Sequence, residues 1–231
     1  MKKSIILFSL VLFGISTVTY AQDDASPIQK GDYKILKLDA LNLMGIGVQK
    51  LHLGYEISPM KQSKNNLPTV NFNLTIPFNS INSLDMNYGL EGGMELRFYQ
   101  QRRQAASLAA EGVFIGVGID GGYVSFEKED EYYFSNGGGY KTSINQYSRV
   151  RTGIYFMLGA QAKLADKLYF DVNVGMGWSN VNVSELDPET DATLVKINNV
   201  SSPFYSLYEE GKYQKFYMPV SFGLGYNFGN K

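Results

Sequence analysis

From Asp32 onward, apolar and polar residues alternate along the chain with a period of two. That is the signature of strands whose two faces meet different surroundings. Between 168 and 179, Leu168, Phe170, Val172, Val174, Met176 and Trp178 fall on one face, and Tyr169, Asp171, Asn173, Gly175, Gly177 and Ser179 on the other. The last segment repeats the pattern, with Met218, Val220, Phe222, Leu224, Tyr226 and Phe228 set against Pro219, Ser221, Gly223, Gly225 and Asn227. Similar runs predict eight strands, at 34–40, 48–57, 69–77, 88–99, 112–125, 149–164, 167–180 and 213–228. No segment reads as a long amphipathic helix. The connections alternate in length, and those at 126–148 and 181–212 are long and polar.

The first residues follow a different rule. Met1-Lys2-Lys3 is a short basic start, Ile5 to Ile15 is an apolar run, and Thr19-Tyr20-Ala21 places small residues at the −3 and −1 positions before Gln22. This layout predicts a secretory signal peptide over 1–21 and a single domain over 22–231. The apolar run is too short to span a bilayer comfortably, and no later stretch reaches the ~18 continuous apolar residues of a transmembrane helix. The predicted strands are even in number, and most reach the ~9–11 residues that a tilted strand needs to cross a bilayer.

Composition narrows the chemistry. Net charge is −1, so a basic nucleic-acid footprint is absent. With no Cys and one His, disulfides, thiolate zinc sites and multi-histidine metal centres are excluded; no cofactor or metal site is expected. Aromatic residues reach 14 %, with 24 Gly, and charged residues only 19 %. Alternation alone leaves two barrels open, a soluble one with its apolar face inward and a membrane one with that face toward lipid. The polar face is rich in Gly, Ser and Asn, which suits a narrow lumen better than a solvated exterior. Large aromatics gather near predicted strand ends: Phe98, Tyr99, Tyr123, Phe126, Phe170, Trp178, Tyr213, Phe216, Tyr217, Tyr226 and Phe228. Both features favour the membrane barrel, an eight-stranded antiparallel up-and-down all-β fold with outer-membrane lipid as its surroundings.

The segment ending Tyr20-Ala21-Gln22, the 168–179 alternation and the terminal Phe222-Gly-Leu-Gly-Tyr-Asn-Phe228 resemble the small outer-membrane β-barrels of Gram-negative bacteria, the OmpA/OmpX-like or porin-family barrel domain. The resemblance covers nearly all of 22–231. It implies an outer-membrane location, and it is specific for architecture rather than for task. Two departures stand out: Gly229-Asn230-Lys231 follow the terminal aromatic, and Pro219 interrupts strand eight, where a bulge or a late start is expected.

On the inferred lumen face lie Lys37, Asp39, His52, Glu56, Glu91, Glu95, Arg97, Asp120, Arg151, Lys163 and Asp171. Acids and bases are mixed, and in a narrow interior they are expected to pair into a structural network that plugs the lumen. Tyr132, Tyr133, Phe134, Phe204, Tyr205 and Tyr208 in the long connections are the candidate contacts for extracellular ligands or surface partners. Catalysis is not expected. His52 is the only possible imidazole base and shares its face with Glu56, while Glu91 and Glu95 stand roughly 13 Å apart along a strand, too far for a carboxylate pair. Gly116-Val-Gly118-Ile-Asp-Gly121 matches a dinucleotide-binding string, but within a strand it lacks the helix start that the chemistry needs. The expected role is structural or surface-interacting. The alternatives are a narrow channel for ions or small solutes, and a soluble exported barrel that binds an apolar ligand.

Overall fold

Strands dominate because nearly every segment alternates and almost none carries a helical period. The computed structural model describes residues 34–44, 48–57, 68–80, 84–100, 110–188, 191, 193–197 and 208–229; the predicted signal segment, Phe204 and Tyr205 lie outside them. In chain order the elements are β1 (Lys34–Asp39), α1 (Ala40–Met44), β2 (Val48–Ile57), β3 (Thr69–Ser80), β4 (Leu84–Tyr99), β5 (Gly112–Phe134), β6 (Tyr140–Lys163), β7 (Leu168–Glu185), β8 (Leu194–Lys196), β9 (Gly211–Tyr217) and β10 (Val220–Asn227).

Neighbouring strands pair antiparallel in sequence order, and β10 pairs with both β7 and β1, which closes a barrel of eight antiparallel strands. β9 and β10 together form its eighth strand, and β8 pairs outside the ring with the end of β5. Following the register once round from Lys37 through Gly54, Asn73, Gly93, Asp120 and Gly153 leads to Ser179. The closing pairs Lys37↔Gly225 and Gly225↔Tyr169 return instead to Tyr169, a stagger of 179 − 169 = 10 residues. For eight strands that stagger tilts them by roughly 40° to the axis and leaves an interior that side chains can fill.

The apolar face points outward. Leu36, Tyr55, Phe72, Leu90, Ile119, Phe156, Met176 and Leu224, one from each barrel strand, all sit exposed on the outside. Arg97, Glu56, Asp171 and Arg149 are instead buried within. The aromatics divide between the faces. Phe98, Tyr123, Trp178, Phe216, Tyr226 and Phe228 are exposed outside, whereas Tyr99 and Phe126 are buried inside and the Tyr217 ring packs on Tyr155 and meets Asp120.

Two strands run much further than the alternation predicted. The polar stretch expected as a loop over 126–148 is the continuation of β5 and β6, paired from Phe126↔Tyr147 to Tyr133↔Tyr140. A tight turn follows, with Gly137 and Gly139 at positive φ (82° and 102°), a conformation that glycine adopts without steric penalty. Pro219 produces neither a bulge nor a late start. The pairs Gly177↔Tyr217 and Val174↔Val220 keep one register across it, and Gly175 N–H still donates to the Pro219 carbonyl at 2.8 Å. Only the reciprocal bond is lost, because proline has no N–H to return.

The seam between β1 and β10 is short, ending at the Asp39↔Gly223 pair. Asp39 is not a member of the lumen ion network expected above. Its Oδ1 accepts Leu41 N–H at 2.8 Å and Asn42 N–H at 3.3 Å, capping α1, and Phe222 N–H across the seam at 3.5 Å. The carboxylate thus takes over where the ladder stops.

Candidate functional site

The lumen is built in layers, and the parity of each strand decides what enters it. At the level of the chain termini, Lys37 (β1), Glu56 (β2), Arg97 (β4) and Asp171 (β7) meet at the axis. Lys37 Nζ stands 2.5 Å from Glu56 Oε2 and 2.6 Å from Asp171 Oδ2. Arg97 reaches Asp171 Oδ2 through Nη1 at 2.7 Å and Glu95 Oε2 through Nη2 at 2.6 Å. Its guanidinium also lies 4.6 Å from the Phe114 ring centroid. Neutral donors complete the shell: Thr69 and Tyr99 hydroxyls donate to Glu56, and Asn71, Asn73 and Tyr155 donate to Glu95. A carboxylate moved from water into such an interior is tolerated only when its lone pairs are met in this way. Around this layer Ile35, Tyr99, Ala110, Phe114, Tyr155, Met157 and Tyr169 form one apolar cluster.

A second charged layer lies toward the hairpin end. Glu91 is its centre, with Lys50 Nζ at 3.1 Å, Arg149 Nη2 at 2.5 Å and Arg151 Nε at 3.8 Å. Arg151 Nη2 also bonds Asp120 Oδ2 at 2.6 Å, and the Tyr217 hydroxyl donates to Asp120 Oδ1 at 3.1 Å. Each arginine is stacked, Arg149 on Tyr208 at 4.3 Å and Arg151 on Tyr217 at 5.0 Å. Above them Leu84, Val124, Phe126, Tyr147, Val181, Val183 and Tyr208 form an apolar roof. Glycine makes room for these rings: a Cβ on Gly118 would stand 2.4 Å from Tyr155 Cζ, and one on Gly177 2.5 Å from Tyr217 Cε1.

Of the predicted lumen residues, Lys37, Glu56, Glu91, Glu95, Arg97, Asp120, Arg151 and Asp171 converge in these layers. His52 stands on the same face but bonds Thr75 Oγ1 at 2.7 Å. Lys163 does not belong: it lies past the end of the lumen, exposed, 3.9 Å from the turn residue Asp166. Arg149 and Lys50 were missed. Arg149 shares the parity of Arg151, and Lys50 that of His52, so the signal was present.

The third polar cluster is outside the barrel proper, in the extension of β5, β6 and β7. Lys196 on β8 bonds Glu185 Oε2 and Glu210 Oε2, each at 3.0 Å, stands 3.1 Å from Asp130 Oδ2 and donates to the Tyr147 hydroxyl. Asn145 Nδ2 donates to Asp130 at 3.0 Å and to the Tyr132 hydroxyl at 2.5 Å. Burial alone would raise the Asp130 carboxyl, but the Tyr147 hydroxyl and the Lys128 and Lys196 ammonium groups outweigh it and hold it below the usual range. Lys196 is shifted the other way. Burial would lower it, yet Tyr147, Glu185, Glu210 and Asp130 raise it above an ordinary lysine.

This cluster reassigns the expected loop contacts. Tyr132 and Tyr208 are buried and serve to pack the extension. Tyr133 remains exposed, and it pairs across strands with exposed Tyr140 on one side and Val195 on the other, a continuous apolar row. Phe134 is half-buried at the hairpin tip.

No protein-family model matches the chain, and no curated protein or solved structure matches it.

Proposed function

We propose that the chain is an integral outer-membrane β-barrel, exported through its N-terminal segment and similar in kind to the small OmpA/OmpX-like barrels. Its role is that of a wall and surface-contact protein rather than an open pore or an enzyme. One observation carries the reading: a closed barrel turns its apolar residues outward on every strand and its charges inward. A soluble barrel that binds an apolar ligand needs the reverse arrangement. On the eighth strand the outward apolar run extends from Phe216 to Phe228. Twelve residue steps at ~3.3 Å and ~40° of tilt make roughly 30 Å along the axis, the thickness of a bilayer's hydrocarbon core. Beyond that belt Glu127, Glu129, Gln146, Asn180 and Lys212 bring polar side chains to the outside, beside the exposed Ile144 and Tyr140. Closure also supplies partners for strand N–H and C=O groups, the requirement that bilayers impose on any spanning structure.

Two charged layers packed among two apolar, aromatic-rich clusters argue for a plugged lumen. The extension of β5 to β7 then projects from the outer surface, and its Tyr140–Tyr133–Val195 row is the contact face for an extracellular partner.

The absence of cysteine makes the topology directly testable. Thr142→Cys, exposed on the extension, is expected to react on intact cells with a membrane-impermeant maleimide. Asp166→Cys, in the short turn at the other end, is expected to react only after the outer membrane is opened. Equal labelling of both in a soluble fraction would overturn the proposal. Purified protein in planar bilayers is expected to be silent; steady ion-selective steps would instead favour the narrow channel.

A further inference from the structure

The two rims of the outward apolar belt differ in charge. Beyond the hairpin rim Asp85, Glu127, Glu129 and Glu131 face outward, beside Lys212. At the rim of the chain termini two lysines stand outward instead. Lys34 begins β1 with the exposed parity of Leu36 and Leu38, and Lys167 is exposed in the turn before β7. Asp166, the acid of that turn, lies 3.9 Å from Lys163.

Both lysines are tied to one place on the last strand. The Lys34 carbonyl accepts Phe228 N–H and the Lys167 carbonyl accepts Asn227 N–H, each at 2.8 Å. They therefore flank the end of β10 from its two sides, one strand spacing each, with their backbones roughly 10 Å apart. Between them the Tyr226 and Phe228 rings meet edge-on, centroids 4.8 Å apart, and are 44 % and 56 % exposed on the outside. Lys167 Nζ already lies over the Tyr226 ring, 6.0 Å from its centroid. Lysine stems are long enough to run along such apolar surface and bring both ammonium groups over the ring pair.

We propose that this surface binds the headgroup of an anionic phospholipid in the leaflet next to the chain termini. Lys34 and Lys167 hold the phosphate from two sides, the Tyr226 hydroxyl donates to it, and exposed Leu36, Leu224 and Phe228 carry the acyl chains. Charge attraction then adds to apolar burial at the same place. A headgroup with an ammonium of its own sets a third cation beside the two lysines, so phosphatidylglycerol is selected over phosphatidylethanolamine. The inference rests on the bilayer reading of the belt and names a lipid for one part of it.

The test uses the full folded chain in dodecylmaltoside micelles, titrated with phosphatidylglycerol and, as the control, with phosphatidylethanolamine. The thermal midpoint of the folded form is expected to rise saturably with the first and not with the second. Lys34→Gln and Lys167→Gln, both at exposed positions, are each expected to raise the half-saturating lipid fraction roughly fivefold, the share of one lysine beside anionic lipid. The double variant is expected to multiply the two effects, Tyr226→Phe to move the same way by less, and Lys212→Gln at the opposite rim to change nothing. Equal responses to the two lipids, or a double variant that matches Lys212→Gln, overturns the proposal. A barrel whose band shifts on heating but ignores phosphatidylglycerol removes this site alone. A chain that stays soluble without detergent and shows no such shift removes the bilayer reading and the site together.

Discussion

Replacing Arg97 by methionine removes the one group that touches three carboxylates in the layer near the termini. Its guanidinium is 2 % exposed and bonds Asp171 at 2.7 Å and Glu95 at 2.6 Å, with Glu56 at 3.7 Å. Methionine keeps most of the volume, so the cavity contribution is small. What remains is Lys37 alone against Glu56, Glu95 and Asp171, three buried acids for one cation. Breaking a buried ion pair by deleting one partner costs about 3–5 kcal/mol, and this case is at the upper end because two further bonds go with it. Adding Glu95→Gln to Arg97→Met removes one stranded charge and is expected to recover part of the loss. Lys163→Met is the control: exposed and outside the lumen, it should stay within about 0.5 kcal/mol of the parent. The assay is urea unfolding in detergent, followed by the fraction of protein that migrates as the folded band without boiling. Arg97→Met and Lys163→Met with equal midpoints would refute the claim that the buried network holds the interior together.

That contrast also marks what the sequence made legible. Parity along each strand located Lys37, Glu56, Glu91, Glu95, Arg97, Arg151 and Asp171 on one face, because a barrel strand alternates wherever lipid-like and lumen-like surroundings face each other. Lys163 has the same parity but stands where the barrel ends, and alternation carries no marker of depth. The stretch over 126–148 carries the pattern of a loop for a related reason, although it is paired as a hairpin. On the β5 side of the hairpin the outward Glu127, Glu129 and Glu131 erase the contrast, although Phe126, Lys128, Asp130 and Tyr132 keep the inward parity. Asp39 has the inward parity of Lys37 and is buried, but nothing local announces that β1 stops there and that its carboxylate caps α1. The stacking of Tyr208 on Arg149 joins positions 59 residues apart (208 − 149) through a long connection, beyond any local pattern.

Other perturbations follow from single contacts. Gly122→Ala would place a Cβ 2.4 Å from the Leu90 carbonyl oxygen and 2.5 Å from Glu91 Cα, so the β4–β5 pairing must shift; a cost of about 1–3 kcal/mol in the same unfolding assay is expected. Pro219→Ala restores the N–H that faces Gly175 and is expected to raise stability by about 0.5–1.5 kcal/mol; a lower midpoint would mean that the ring's packing outweighs the missing bond. The β8 clamp is expected to depend on pH at both extremes. Asp130 is held low, so its contribution is present above the ordinary carboxylate range and lost as pH falls through its depressed value. Lys196 is held high, so its contribution is present below the ordinary lysine range and lost only as pH rises through its raised value. Protease cleavage within 186–210 should therefore accelerate below about pH 4, the ordinary Asp range, and stay slow across neutral pH; a rate flat down to pH 2, roughly two units below that range, would contradict the clamp.

The central claim is that lipid covers the outward apolar belt of a stably closed barrel. The most direct measurement is a gel of protein from washed membranes, with boiled and unboiled samples side by side. A band in the membrane fraction that migrates faster unboiled, and shifts to its full-chain position on heating, is the expected result. Recovery in the soluble fraction with no heat-dependent shift would contradict it.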